Sequence, residues 1–314
     1  MKNIVLKPTA SLSLTDLLRA EIPAALHRDV SHSKIRRLIM AGAVAVNAAP
    51  CRNPSFIVRV GATVTVRVDE AKLLYEKPAN DIAFDLTARD VLFEDDAIIV
   101  VNKPAFFPTE AGMVKSRDNL HAAVVRYLFA KQKIAHPAMK NPPYAGIMHR
   151  LDHETSGVIL FTKTRAVNAA CHALFESRTV QKIYRAIVCP VPEQTAFSVE
   201  MFMGRISPKS QAAKWGRVAE KDGGVYSKTD VAVVKTGILA GNPVAAVDCT
   251  LHTGRTHQIR VHLAASRAPI VGDTLYGGIP HARILLHAHT LTFPLPVSGE
   301  MLTVTAPLPD GFAL

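Results

Sequence analysis

His149-Arg150-Leu151-Asp152-His153-Glu154-Thr155-Ser156-Gly157, followed at once by Val158-Ile159-Leu160-Phe161, is the stretch on which the reading of this chain turns. An arginine, an aspartate and a Thr-Ser-Gly stand in a polar turn, and an unbroken apolar run comes directly behind them. Such a run suits a buried strand, and a loop carried on a rigid strand is where reacting side chains are presented. Asp152 is therefore the first candidate for a reacting group. What flanks it decides the chemistry.

The chain has 314 residues, enough for a sizeable core and more than one domain, and 48% of them are hydrophobic. No apolar run reaches membrane-spanning length, and Met1-Lys2-Asn3-Ile4-Val5 runs into polar Lys7-Pro8-Thr9 rather than a signal-peptide core. A soluble, cytoplasmic protein with no membrane partner is expected, and a monomer by default. The formal net charge of +11 favours a polyanionic partner, although a basic surface can also be merely solvated. Cys51, Cys171, Cys189 and Cys249 form no C-x-x-C pair, so four reduced, mostly buried thiols are expected instead of zinc or disulfides. G-x-G-x-x-G, G-x-x-x-x-G-K-[ST] and H-E-x-x-H are all missing, which argues against nucleotide cofactors and zinc proteolysis. No cofactor and no metal are expected.

Residues 1–70 read as a small module. Ile35, Leu38 and Ile39 fall on one face of a helix over 33–41, with Lys34, Arg36 and Arg37 around the rest. Ser31 or Ser33 can cap it, and Gly42 suits the position past its end. A second helix spans 14–26, with Pro23 expected to interrupt or end it. Val44 and Val46, a turn at Asn47-Ala48-Ala49-Pro50, and Val64, Val66 and Val68 read as short strands. Residues 71–90 read as a linker with one strand over 82–86.

Residues 91–314 read as a second, larger domain. A hairpin is expected from Val91 through Lys103-Pro104, and a helix through Leu120, Val124, Tyr127 and Leu128, capped by Ser116 or Asp118. A further helix over 165–176 should bury Leu174 and Phe175. Strands recur at 183–188, 225–234, 244–251 and 284–293 without a βαβ rhythm, which predicts an α+β fold on a large mixed or antiparallel sheet with flanking helices. Gly254-Arg255-Thr256-His257-Gln258-Ile259-Arg260-Val261-His262 leads from a strand into a helix. A Thr-initiated helix start beside Arg255 is a place to hold an anion, carboxylate or phosphate. Alternation in Gln181-Lys182-Ile183-Tyr184-Arg185-Ala186 sets Tyr184 opposite Ile183 and Arg185. Val271 to Gly278 is a glycine-bounded turn.

Singly, each of these has a plain structural explanation. Together, the order Lys103-Pro104, H-R-L-D-x-x-T-S-G, K-x-Y-x-A and G-R-T-H-Q-I-R-V-H resembles the RluA family of RNA pseudouridine synthases over about residues 91–290. The front module resembles the S4 RNA-binding domain through Ser31-His32-Ser33-Lys34-Ile35 and onward to Val46-Asn47. His32 stands where that pattern has arginine, and Ala48 replaces its turn glycine. After Lys103-Pro104 the family has glycine and then Val-His or similar, whereas this chain has Ala105-Phe106-Phe107-Pro108-Thr109-Glu110.

The resemblance implies isomerisation of uridine in RNA, with Asp152 as catalytic carboxylate, Arg255 as its ion-pair partner and Tyr184 stacking on the flipped base and moving a proton at C5. Arg150 would hold the displaced strand, Ile259 would wall the pocket, and Lys103 would contact the charge network or the RNA. Lys34, Arg36 and Arg37 would track the phosphate backbone. Large-subunit ribosomal RNA is the first expectation for the partner and tRNA the second. A non-catalytic RNA-binding or ribosome-assembly factor on the same fold is the main alternative. A metal-dependent hydrolase resting on the thirteen histidines, His287 and His289 among them, is a weaker one.

Overall fold

A computed structural model of the chain describes residues 2–69, 73, 81–111, 117–208 and 213–314. Two compact units result, one holding residues 2–69 and 73, the other residues 81–207 and 213–314.

In the first unit, helices Leu14–Leu26 and His32–Met40 share a core with a four-stranded antiparallel sheet in the order Lys2–Leu6, Val64–Val68, Val44–Val46, Ala49–Pro50. Ile35, Leu38 and Ile39 are buried, and Arg36 and Arg37 are exposed on the opposite side. Ser31 is the cap, accepting the Lys34 N–H. Pro23 lies inside the first helix and does not break it. Its missing N–H deprives only the Arg19 carbonyl, and the helix closes within a turn at His27, whose left-handed backbone (φ 52°) caps it. Asn47 and Ala48 both adopt positive φ, so the hairpin keeps its tight turn although alanine replaces glycine.

The second unit is built on one eleven-stranded sheet. Its path runs Trp215–Arg217, Ala196–Arg205, Val225–Leu239, Asn242–Leu251, Gln181–Val188, Leu286–Pro294, Ser156–Thr162, Ile98–Lys103, Val91–Glu94, with Met301–Thr305 and Gly146–Ile147 branching off it. At one end the sheet is covered on both faces. Ile98, Val100, Val158 and Leu160 face one hydrophobic cluster, while Ile99, Val101, Ile159 and Phe161 face another. This is why those two strands read as unbroken apolar runs. Among the described residues Ser156–Thr162 makes the one parallel pairing, with Leu286–Pro294, and the polar loop of residues 149–155 enters the sheet at that junction.

Several local expectations are corrected. Residues 82–86 form no strand; Ile82 makes a single backbone bond to the Phe106 carbonyl and Leu86 packs beside Phe107. Much of the 71–90 linker lies outside the described residues. Helix Leu120–Ala135 is capped by Asn119, whose Oδ1 accepts the Ala122 N–H at 3.0 Å; Asp118 instead pairs with Arg126, and Ser116 lies outside the described residues. Helix Asn168–Glu176 buries Cys171 and leaves Leu174 and Phe175 half-buried at the margin of the core, with the Phe175 ring stacked on His149. Of the cysteines, Cys171 and Cys249 are buried, Cys51 and Cys189 half-buried, and all are free thiols.

Three histidines in this unit are held neutral by burial. His149 is brought down to about 3, His262 and His287 to about 4. The unfolded chain protonates them near 6.5 and the folded chain does not, so stability is lost as pH falls from about 6.5 towards 4. We expect the urea midpoint to fall over that interval, and the unfolding free energy with it, by on the order of 3 kcal/mol for each histidine. A midpoint flat from pH 7 to 4 would contradict this.

Candidate active site

The 149–155 loop is fixed before any substrate arrives. Thr109 clamps Leu151: its Oγ1 donates to the Leu151 carbonyl at 2.9 Å and accepts the Leu151 N–H at 3.2 Å. Lys103 ends its strand opposite Gly157, and its Nζ donates to the carbonyls of Pro104, His153 and Thr155. That side chain is fully buried, and burial brings its pKa down to about 7. Of the two contacts expected for Lys103, burial speaks against RNA and leaves the charge network, where its ammonium interacts with Asp152 and Arg283. The turn's inward carbonyls need donors, and the lysine supplies them from beneath. The unusual segment after Pro104 also reaches the 149–155 loop, through Thr109. Gly157 has φ 115°, and a Cβ there would lie 2.1 Å from the Ala288 carbonyl oxygen. Only glycine allows the two strands to approach so closely.

Asp152, with 35% of its side chain exposed, projects from this loop. Its Oδ2 lies 3.6 Å from Arg260 Nη1 and 3.8 Å from His257 Nε2. Arg260 is itself gripped from behind: Nε and Nη2 donate to the two oxygens of buried Asp273 at 2.7 and 2.8 Å, and its guanidinium faces the Tyr276 ring. Burial alone would lower the Arg260 pKa, but the bonds to Asp273 and the charge of Asp152 outweigh it and hold the group charged. Burial lowers His257 against the pull of Asp152, so it faces the carboxylate as a neutral ring.

The expected partner, Arg255, is elsewhere. It is exposed and donates through Nε to the Tyr226 carbonyl. The helix begins at Gln258 rather than at Thr256, after His257 in a left-handed conformation. The Gln258 side chain organises the turn: Oε1 accepts from Thr253 Oγ1 and the Arg255 N–H, and Nε2 donates to the Lys228 carbonyl and Thr229 Oγ1. That register brings the second arginine of G-R-T-H-Q-I-R, Arg260, to the carboxylate. Asp273, read from sequence as part of a turn, is the residue that anchors it.

Tyr184 shares a rung of the sheet with Ala288, which in turn pairs with Gly157, so tyrosine and loop meet across adjacent strands. Burial and the charge of Asp152 push its pKa up, keeping the hydroxyl protonated. Asp152, Tyr184, buried Ile259 and Arg260 line one cavity of about 1010 Å3, together with Lys182 and Arg255. Arg150 also lines it; the side chain is 67% exposed and pairs with Glu110 at 2.7 Å. A cavity of this size stands at the upper end of the range of about 300–1,000 Å3 for small-molecule sites, and accepts more than a lone base. His287 and His289 do lie close, with ring centroids 6.1 Å apart, but no group of three His, Cys, Asp or Glu among the described residues could hold a metal ion.

A carboxylate, a gripped arginine and a protonated tyrosine line one cavity on a large mixed sheet, and comparison with known proteins gives the class. Residues 97–265 match the RNA pseudouridylate synthase family and residues 24–64 the S4 domain. The chain belongs to the RNA pseudouridylate synthase family and is an RNA pseudouridine synthase with an S4 domain. It is similar to ribosomal large subunit pseudouridine synthase D of Neisseria meningitidis serogroup A, 33% identical over 91% of this chain and 74% of the relative. It also resembles the protein of that name from Xanthomonas campestris pv. campestris, 31% identical over 91% and 84%. Among solved structures, human RNA Pseudouridylate Synthase Domain Containing 1 aligns with a TM-score of 0.56 and 25% identity, over 71% of this chain and 86% of that one.

Proposed function

We propose that this enzyme isomerises uridine in large-subunit ribosomal RNA in the cytoplasm, with Asp152 as the catalytic carboxylate. The reaction breaks the uracil N1–C1′ bond and joins C5 to C1′, with the proton leaving C5 and one gained at N1, so it is redox-neutral and transfers no outside group. A stacked base is out of reach of such chemistry, and the uridine must be extruded into the cavity. A carboxylate can act by attack on C1′ or by removing a ribose proton, and either route needs it ionised.

The observation that carries the reading is the Asp273–Arg260–Asp152 chain. A buried carboxylate locks the guanidinium, and the guanidinium presents its remaining nitrogen, Nη1, to Asp152 at 3.6 Å. Tyr184 stacks on the uracil and, as a protonated hydroxyl, handles the proton at C5. Ile259 is the apolar wall. Arg150, freed from Glu110, supports the displaced strand through stacking or phosphate contact. The relatives named above act on large-subunit RNA by name, which favours that substrate over tRNA. The test is tritium release from uracil C5 with purified protein on large-subunit ribosomal and tRNA transcripts. Release from the ribosomal transcript is expected; release from tRNA alone would overturn the choice of substrate.

Lys34, Arg36 and Arg37 of the S4 domain contribute phosphate contacts. Because each neutralised duplex phosphate adds about 0.9 to the salt slope of binding, Arg36→Gln with Arg37→Gln should lower that slope by roughly 1.8 on structured RNA. An unchanged slope would remove the two arginines from the interface.

A further inference from the structure

Charged groups line the cavity in two sets. At Asp152 one cation serves two carboxylates: Arg260 stands between Asp152 and Asp273. The same cavity is lined by Arg178, Lys182, His149 and Arg255, with Gly254 between the strand and the turn. Lys182 is half-buried, and its ammonium interacts with the charge of Arg178 and acts in turn on His149. Neither the Lys182 nor the Arg178 side chain has a hydrogen-bond or ion-pair partner among the described residues. Glu176 lines the same cavity without pairing with either. Two neighbouring cations, one of them partly desolvated, with no counter-ion, are costly unless an anion arrives.

The local backbone opens this corner to the cavity. Arg178 sits at positive φ (60°) in the turn between helix Asn168–Glu176 and strand Gln181–Val188. Lys182 is two residues from Tyr184 in the regular ladder to Asn242–Leu251, so both project from the same sheet face, about 6.6 Å apart along the strand. A Cβ on Gly254 would sit 3.5 Å from Lys182 Nζ, so the glycine leaves room for a ligand atom beside the ammonium.

We propose that Lys182 and Arg178, beside the bare backbone of Gly254, form a subsite for a phosphodiester of the RNA strand, one nucleotide's reach from the base that stacks on Tyr184. The assignment rests on the reading that Asp152 receives the extruded uridine. It adds a second point of attachment: Asp152 and Tyr184 hold the sugar and base, and the Lys182 corner holds the backbone that carries them. Fixing both ends orients C1′ against the carboxylate.

The test uses the full chain and fluorescein-labelled hexauridylate, with anisotropy titrations over a salt series. Each lost phosphate contact to a single strand removes about 0.7 from the slope of log affinity against log salt. Lys182→Met and Arg178→Asn, the latter suited to the left-handed turn, should each lower the slope by about that amount, and Lys182→Arg should keep it. Wild-type slopes in both Lys182→Met and Arg178→Asn would overturn the subsite. Asp152→Asn is assayed in parallel for tritium release. If it turns over, the reading of Asp152 fails; if it is inactive while the slopes are unchanged, the phosphate subsite alone fails.

Discussion

Asp152→Asn is expected to abolish pseudouridine formation, with a loss of at least about a thousandfold, while RNA binding persists. The amide has the size of the carboxylate and fits the same loop, whose clamps at Thr109 and Lys103 act on backbone atoms and are untouched. It carries no charge, so it can neither attack C1′ nor take a ribose proton. Binding is retained because the S4 cations and the Lys182 corner remain. Tritium release from uracil-labelled RNA measures the first, anisotropy the second. Turnover within tenfold of wild type would remove Asp152 from the chemistry.

Arg260→Met carries the second large effect, and it has two parts. The substitution strands Asp273, 1% exposed, as a buried charge without its partner; breaking a buried pair in this way costs about 3–5 kcal/mol. It also removes the cation nearest Asp152, whose Nη1 lies 3.6 Å from the carboxylate. Adding Asp273→Leu separates the two, since replacing both partners removes the stranded charge and should recover stability without recovering activity. Arg255→Ala should be the milder change, because that arginine pairs with the Tyr226 carbonyl and leaves the Asp152–Arg260 contact intact. Urea melts and tritium release from uracil-labelled RNA report the two parts. Full activity in Arg260→Met with none in Arg255→Ala would restore the pairing that the motif alone suggests.

The contrast between those two arginines marks how far the sequence could be read. The buried strands behind Asp152, the helix pattern of Ile35, Leu38 and Ile39, and the residue types around the cavity follow from periodicity and local chemistry, because each depends on neighbours in the chain. Which arginine meets Asp152 does not. It depends on where the helix starts, and the start is set by Gln258 bonding to Thr253, Lys228 and Thr229, two of them some thirty residues away. Asp273 was legible only as a turn residue, since its role exists through a contact thirteen positions back. Lys103 was legible only as a contact to a charge network or to RNA; its burial follows from three carbonyls, two of them about fifty residues on. The strand Ala196–Arg205 escaped because Phe202 interrupts the alternation of Phe197, Val199, Met201 and Met203.

The central claim is that Asp152 of this chain makes pseudouridine in large-subunit ribosomal RNA. The most direct measurement maps pseudouridines in total RNA from cells lacking the gene, then from the same cells carrying the wild-type or the Asp152→Asn gene. The account predicts that defined large-subunit positions lose pseudouridine on deletion, regain it with the wild-type gene and stay uridine with Asp152→Asn. An unchanged map on deletion, or restoration by Asp152→Asn, would contradict it.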